Sequence, residues 1–238
     1  MEKLPKIDMS EIAPRNIHVS ARGKRAISEH AQKPLVFDKY VKKDSVLDVG
    51  CSTGTFLLCC KKLGYKDVYG VDLNKKTNEY CIKKLKLPVS TAIPNKKFNL
   101  IHLSDIIEHL QDPDKFIKSI KKRLMHKGVI LLTTPNINNL LNWILNIKPK
   151  EHLFYFSKRT IRLLLEKNNL KLIKIKSWNR YHPLQHLVDT STGEKVKIAR
   201  ILIALKLDAL VNNLILKNLY TDILVIAQNQ DRQERKIK

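Results

Sequence analysis

The residues best placed to do chemistry are an acid and two glycines in one turn, a second acid further on, and a pair of histidines. Asp48, Gly50 and Gly54 stand in the run Asp48-Val49-Gly50-Cys51-Ser52-Thr53-Gly54, and Asp72 follows a second apolar run, residues 68–71. The chain has seven glycines in 238 residues, so two in one turn mark backbone that takes positive φ or approaches a ligand closely. A strand, a glycine turn and a helix together expose backbone N–H groups at the carboxyl edge of a sheet, which suits a nucleotide-like ligand. The order D-x-G-x-x-x-G differs from the dinucleotide order G-x-G-x-x-G by its acid. Asp48 would repel a pyrophosphate and suit a ligand that carries an ammonium or a sulfonium. Asp72 stands where a carboxylate meets ribose hydroxyls. His109 and His152 are candidate bases because imidazole titrates near neutrality; the alternative for each is a histidine that fixes a loop by hydrogen bonding. His182 and His186, spaced i, i+4, have no clear third ligand and fit surface residues better than a metal site.

The elements that must position these groups follow from the pattern. Val46, Leu47 and Val49 form a short apolar run fit for a central parallel strand. Residues 55–63 are then expected to be helical, with Gly64 as the stop. Strands are expected over 67–71, 87–91, 99–103, 129–133, 170–175 and 220–227. Asn74, Asp112 and Ser157 are placed to cap the intervening helices, and Pro113 sits at a first helical position. Leu170 and Leu172 are in one phase and Ile173 and Ile175 in the other, which suggests a strand buried on both sides. Strict alternation of strand and helix indicates a parallel α/β sheet. A helix over residues 27–41, interrupted near Pro34, either covers the site or packs at an edge.

These residues resemble the class I S-adenosylmethionine-dependent methyltransferases, in a small-molecule or quinone-type O-methyltransferase-like branch. The resemblance lies in residues 48–56, 71–73, 98–109, 128–136 and 151–175, so it covers roughly residues 35–177 and, more weakly, the last strand. It implies an α/β, Rossmann-like, seven-stranded, mostly parallel sheet with helices on both faces and an antiparallel last strand between the fifth and sixth. It also implies S-adenosylmethionine as cofactor. Gly50, Cys51, Ser52 and Gly54 would wrap its methionine part, Asp48 would anchor the ammonium, and Asp72 would accept the ribose hydroxyls. Leu73 would lie against the adenine, with Phe56, Ser104 and Asp105 completing the cofactor set. Ser52 replaces a glycine common in the family, Asn99 stands where an Asp is common, and Ser90-Thr91-Ala92 lacks the usual acid near the adenine amino group. Asp105, Glu108 and His109 also resemble the acid-x-x-Glu-His cluster with which quinone-type O-methyltransferases can hold a divalent metal. The alternative, helix-start carboxylates, is preferred, and no metal is expected.

Composition bounds the rest. Lys and Arg number 45 against 22 Asp and Glu, a formal net charge of +23, so a polyanionic partner competes with the simpler reading of a solvated lysine surface. Cys51, Cys59, Cys60 and Cys81 contain no C-x-x-C pair, and reduced thiols in a cytoplasmic protein are expected. The N-terminus lacks an apolar signal core. The expected organisation is a flexible lead over 1–25, a methyltransferase domain over 26–227 with a helical insertion at 178–218, and a charged tail over 228–238. Within the insertion, residues 199–217 form an impure amphipathic pattern carrying Ile203, Leu207, Leu210, Val211 and Leu214 on one face. It is read as a cap or homodimer helix, or alternatively as a peripheral membrane-surface helix beside a lipid-linked substrate.

The leading expectation is O-methylation of a small-molecule, sugar or lipid-linked acceptor. An RNA methyltransferase is the enzymatic alternative, although Thr133-Thr134-Pro135-Asn136 is not the motif used on exocyclic amines. A non-catalytic binding or membrane-associated module on the same fold is the third.

Overall fold

The protein is described from a computed structural model over residues 33–139, 151–178 and 222–231. The expected N-terminal lead, the helix over 199–217, His182 and His186, and the end of the tail lie outside the described residues.

Seven strands make one sheet: β1 (Ser45–Val49), β2 (Asp67–Val71), β3 (Val89–Ser90), β4 (Phe98–Ser104), β5 (Leu124–Pro135), β6 (Leu170–Trp178) and β7 (Asp222–Asn229). Their order is β3-β2-β1-β4-β5-β7-β6; β1 to β5 run parallel, and β7 is antiparallel to both β5 and β6. This is the Rossmann-like α/β arrangement that the motif order implies, with the reversed strand between the fifth and sixth.

Alternation along the strands builds a core on each face. Leu47, Val49, Ile101, Leu103, Ile130 and Leu132 face the side covered by α4 (Pro113–Lys121) and α5 (Lys158–Lys167), whose Ile117, Ile120, Ile161 and Leu165 are fully buried. Val46, Leu100, Val129 and Leu131 face the other side, with Phe56, Leu57 and Cys60 of α2 (Thr55–Lys62), Cys81 of α3 (Lys75–Leu85) and Phe37 of the short α1 (Pro34–Phe37). A single 3-10 turn, Asp38–Tyr40, follows α1. Asp48 and His102 fall in the phase of this second face.

The helix starts follow the sequence closely. Asn74 accepts hydrogen bonds from the N–H groups of Lys76 and Thr77, and Asp112 from that of Lys115 with Pro113 behind it. Ser157 makes a reciprocal capping box with Thr160. Gly64 ends α2 at φ 89°.

Four strands differ from expectation, β3 keeping only Val89–Ser90 of the expected 87–91. β6 is the outermost strand on its side and is half-buried through its middle, rather than covered on both faces. The phase change between Leu172 and Ile175 is a bulge, since the register with β7 shifts between Leu172 and Lys174. Leu172 and Ile175 thereby share one face while Ile173 turns to the other. β5 begins at Leu124, because Phe98 pairs with it before the register shift that precedes Leu100, and Lys127 carries the turn at φ 57°. β7 continues to Asn229 instead of fraying at 228, held by the pairs Val129 with Gln228 and Leu170 with Asn229.

No helix among the described residues is long and apolar enough to cross a membrane.

Candidate functional site

The carboxyl ends of β1, β2, β4 and β5 carry the chemistry. After β1 the chain must turn sharply to enter α2, and Gly50 and Gly54 do so at φ 75° and 73°, with Ser52 also left-handed at 46°. Neither glycine has room for a side chain: a Cβ on Gly50 would lie 2.4 Å from Ile106 Cδ1, and one on Gly54 2.6 Å from Leu87 Cδ1. The N–H groups of Gly50 and Cys51 donate to the Val71 carbonyl at 2.7 and 3.1 Å, which seats the loop on the end of β2.

Asp72 completes that seat. One of its carboxylate oxygens accepts from the Ser52 N–H and the other from the Asn74 N–H, both at 2.8 Å. Cys51 is buried, its sulfur filling the notch left by Gly70, where a Cβ would come within 2.7 Å of it. All four cysteines are free. Burial holds their thiols above the ordinary range, Cys59 and Cys81 at about 11, so they are neutral near pH 7. Leu73 stands out into solvent at 85% exposure beside the turn.

Asp48 lies beneath the loop, 2% exposed. The parallel register sets it opposite His102 on β4, and His102 Nδ1 is 2.7 Å from Asp48 Oδ1. On the other side of the ring, Lys33 Nζ is 3.3 Å from His102 Nε2 and donates to Ser104 Oγ at 2.9 Å. Ser104 in turn meets Thr133 Oγ1 at 2.9 Å across the β4–β5 pair. Burial pushes the Asp48 carboxyl up to about 8 against the pull of Lys33, and burial with Lys33 holds the His102 imidazole well below its usual range. Phe56 is 1% exposed, and its ring stacks on His102 with centroids 3.8 Å apart. Lys33 and His102 did not stand out in the sequence. A histidine in an apolar strand reads as core, and only the β1–β4 register reveals its acidic neighbour.

The second cluster lies just past β4. Asp105 turns the chain at φ 54°, its N–H donating to the Thr133 carbonyl, and a 3-10 turn over Ile107–His109 follows. Glu108 is 1% exposed and accepts from Thr134 Oγ1 at 3.0 Å, while its carbonyl accepts from the N–H groups of Leu153 and Phe154 at 2.8 and 3.1 Å. The segment before α5 is thus pinned to this turn, which brings His152 to His109 edge to face, centroids 4.8 Å apart. His109 Nδ1 lies 2.8 Å from the Glu151 carbonyl. A carbonyl only accepts, so Nδ1 carries the hydrogen and the neutral ring presents a lone pair at Nε2.

The two candidate bases, remote in sequence, therefore meet. Glu108, His109 and His152 offer ligand atoms within 4.8 Å of one another, and Asp105 is not in that group. Of the implied cluster, Glu108 and His109 are brought together and His152 stands in place of Asp105, so this corner pairs two imidazoles with a buried carboxylate, a nitrogen-rich set that could hold a metal ion of softer preference than a hard divalent one. Asn99 lies at the opposite end of β4, where Asn99 Oδ1 accepts from Ser45 Oγ at 2.9 Å. Its place in the strand pair is structural.

Comparison with known proteins agrees with this geometry. A family model described as a methyltransferase domain matches residues 18–175. The ubiquinone biosynthesis O-methyltransferase of Pelagibacter ubique is 29% identical over 164 residues, covering 60% of this chain and 68% of that protein. A SAM-dependent methyltransferase from Archaeoglobus fulgidus has a similar fold, with a TM-score of 0.60 at 24% identity over 87% of this chain and 96% of that one. A methyltransferase of Bacillus halodurans matches with a TM-score of 0.63 at 16% identity, covering 86% of this chain and 100% of the other. The loop on β1, the carboxylate after β2 and the reversed last strand thus have their explanation: the chain belongs to the class I S-adenosylmethionine-dependent methyltransferases, with S-adenosylmethionine as its cofactor.

Proposed function

We propose that the protein transfers the methyl group to an oxygen of a small-molecule, sugar or lipid-linked acceptor. The observation that carries the reading is His109, whose Nδ1 is committed to the Glu151 carbonyl and whose Nε2 is thereby left as a base, with His152 packed against the ring. Similarity to a ubiquinone biosynthesis O-methyltransferase supports an oxygen nucleophile.

When bound, S-adenosylmethionine supplies an electrophilic methyl group. In this reading Gly50, Cys51, Ser52 and Gly54 enclose its methionine part, Asp48 faces its ammonium, Asp72 holds the ribose and Leu73 covers the adenine. Ser104 and Asp105, at the end of β4, complete the cofactor set. Alignment of nucleophile and methyl carbon supplies much of the rate. His109 Nε2 takes the proton from the acceptor hydroxyl, and Glu108 holds the turn and the 151–157 segment in place. Labelled-methyl transfer from S-adenosylmethionine to a panel of phenols, sugars and prenylated phenols, compared with amine analogues of the same acceptors, tests this. Labelling of the amines alone would overturn oxygen as the acceptor atom.

The net charge of +23 favours one further reading, an RNA acceptor. Filter binding at graded salt decides it: absence of salt-sensitive RNA affinity removes it.

A further inference from the structure

Lys33, His102 and Asp48 form a buried chain that the transfer chemistry does not use. Their side chains are 0%, 1% and 2% exposed by residue, and the links are 3.3 Å from Lys33 Nζ to His102 Nε2 and 2.7 Å from His102 Nδ1 to Asp48 Oδ1. We propose that Lys33 and His102 are positioning residues of the cofactor site: acting through Asp48, they favour the charged form of its carboxylate, which burial opposes, and aim it at the cationic methionine end of the cofactor. The inference rests on the reading that Asp48 faces that end.

Hydrogen-bond chemistry fixes the direction of the chain. A lysine ammonium only donates, so His102 Nε2 accepts, and a neutral imidazole then carries its one hydrogen on Nδ1 and donates it to Asp48. Lys33 thus stabilises the charged carboxylate twice, by its field and by setting the histidine tautomer. Phe56 stacks on the ring and holds its plane. Among the described residues, Asp72 after β2 opposes ionisation of the Asp48 carboxyl, while the nearby thiols of Cys51, Cys60 and Cys81 are neutral near pH 7 and do not. Lys33 is the cation whose field acts on Asp48 among the described residues, and it comes from the segment leading into α1 rather than from the sheet. Without Lys33 the burial of Asp48 is opposed by no other cation among the described residues, and the ligand's own ammonium must then draw the proton off.

Calorimetry with three stable probes tests this. S-adenosylhomocysteine carries ammonium and carboxylate, its decarboxylated form carries the ammonium alone, and methylthioadenosine carries neither. For the wild type, affinity for the first two should rise with pH toward about 8, where Asp48 ionises, and affinity for the third should be flat. Lys33→Met should weaken the first two by about tenfold or more at pH 7 and move the rise to higher pH, leaving methylthioadenosine unchanged. His102→Leu should do the same, and His102→Asn, which keeps a donor toward Asp48, should recover part of the loss. Thermal unfolding identifies variants that are folded, and either position alone can carry the test. The proposal is overturned if folded variants bind all three probes as the wild type does, or lose all three equally. It is also overturned if Lys33→Met weakens S-adenosylhomocysteine but not its decarboxylated form, which would mean that Lys33 touches the ligand carboxylate directly. A wild type that binds no probe would instead refute the assignment of the loop to the cofactor.

Discussion

Asp72 holds Ser52: its carboxylate accepts the Ser52 N–H at 2.8 Å while its other oxygen accepts the Asn74 N–H at the same distance. One side chain therefore closes the loop after β1 onto the turn after β2 before any ligand arrives. Asp72→Ala is expected to weaken S-adenosylhomocysteine binding more than loss of a ribose contact alone would, because the loop loses its tether as well. Hydrogen bonds to a charged group contribute roughly 1.5–3 kcal/mol each, so a fall of at least about tenfold is expected in calorimetry. Asp72→Asn, which keeps one acceptor oxygen, should fall between the two.

Asp48 and His102 make opposite contributions to the pH dependence of folding. The Asp48 carboxyl is raised from 3.8 to about 8, so its contribution is complete below the lower value and is lost as pH rises through about 8. The His102 imidazole is lowered from 6.5, so its contribution is complete above 6.5 and is lost as pH falls below it. Between pH 6.5 and 8 only the Asp48 slope acts, at up to about 1.4 kcal/mol per pH unit. Urea unfolding of cofactor-free protein across that window should show the wild type losing stability relative to Asp48→Asn as pH rises.

Gly54 and Gly64 separate crowding from backbone strain. Both have positive φ, 73° and 89°, but a Cβ at Gly54 meets Leu87 and Cys81, while one at Gly64 meets nothing within 4 Å. Gly64→Ala should cost about 1–2 kcal/mol, the left-handed penalty alone. Gly54→Ala should cost more in denaturant unfolding, because Leu87 and Cys81 must also move.

His109→Gln is expected to lower single-turnover methyl transfer by about 10²–10⁴-fold with little change in cofactor affinity. His152→Gln should have a smaller effect through the placement of the His109 ring. Equal losses of rate and cofactor affinity in His109→Gln would count against a base.

Much of this was legible in the sequence because the signals were local. Gly50, Gly54 and Asp72 lie in short runs whose backbone geometry dictates residue type, and Asn74, Asp112 and Ser157 cap helices that begin beside them. The Asp48–His102–Lys33 chain was hidden because its links cross 54 and 69 residues of sequence. The partnership of His109 with His152 depends on the Glu108 carbonyl capturing the 151–157 segment, a backbone contact that no side-chain pattern announces. β6 misled for a related reason: its two apolar phases suggest burial on both faces, whereas a bulge passes one phase into the other on an edge strand.

The position of β6 also bears on how these molecules behave in a crowd. The strand carries Lys171, Lys174 and Lys176, and partial burial, with the nearby Lys174 adding to it, already lowers the Lys176 ammonium from its usual value. Two molecules meeting along that border would align like charges where backbone pairing would otherwise extend the sheet. Such repulsion would be eroded by salt, since it fades beyond about 10 Å at 0.1 M and about 3 Å at 1 M.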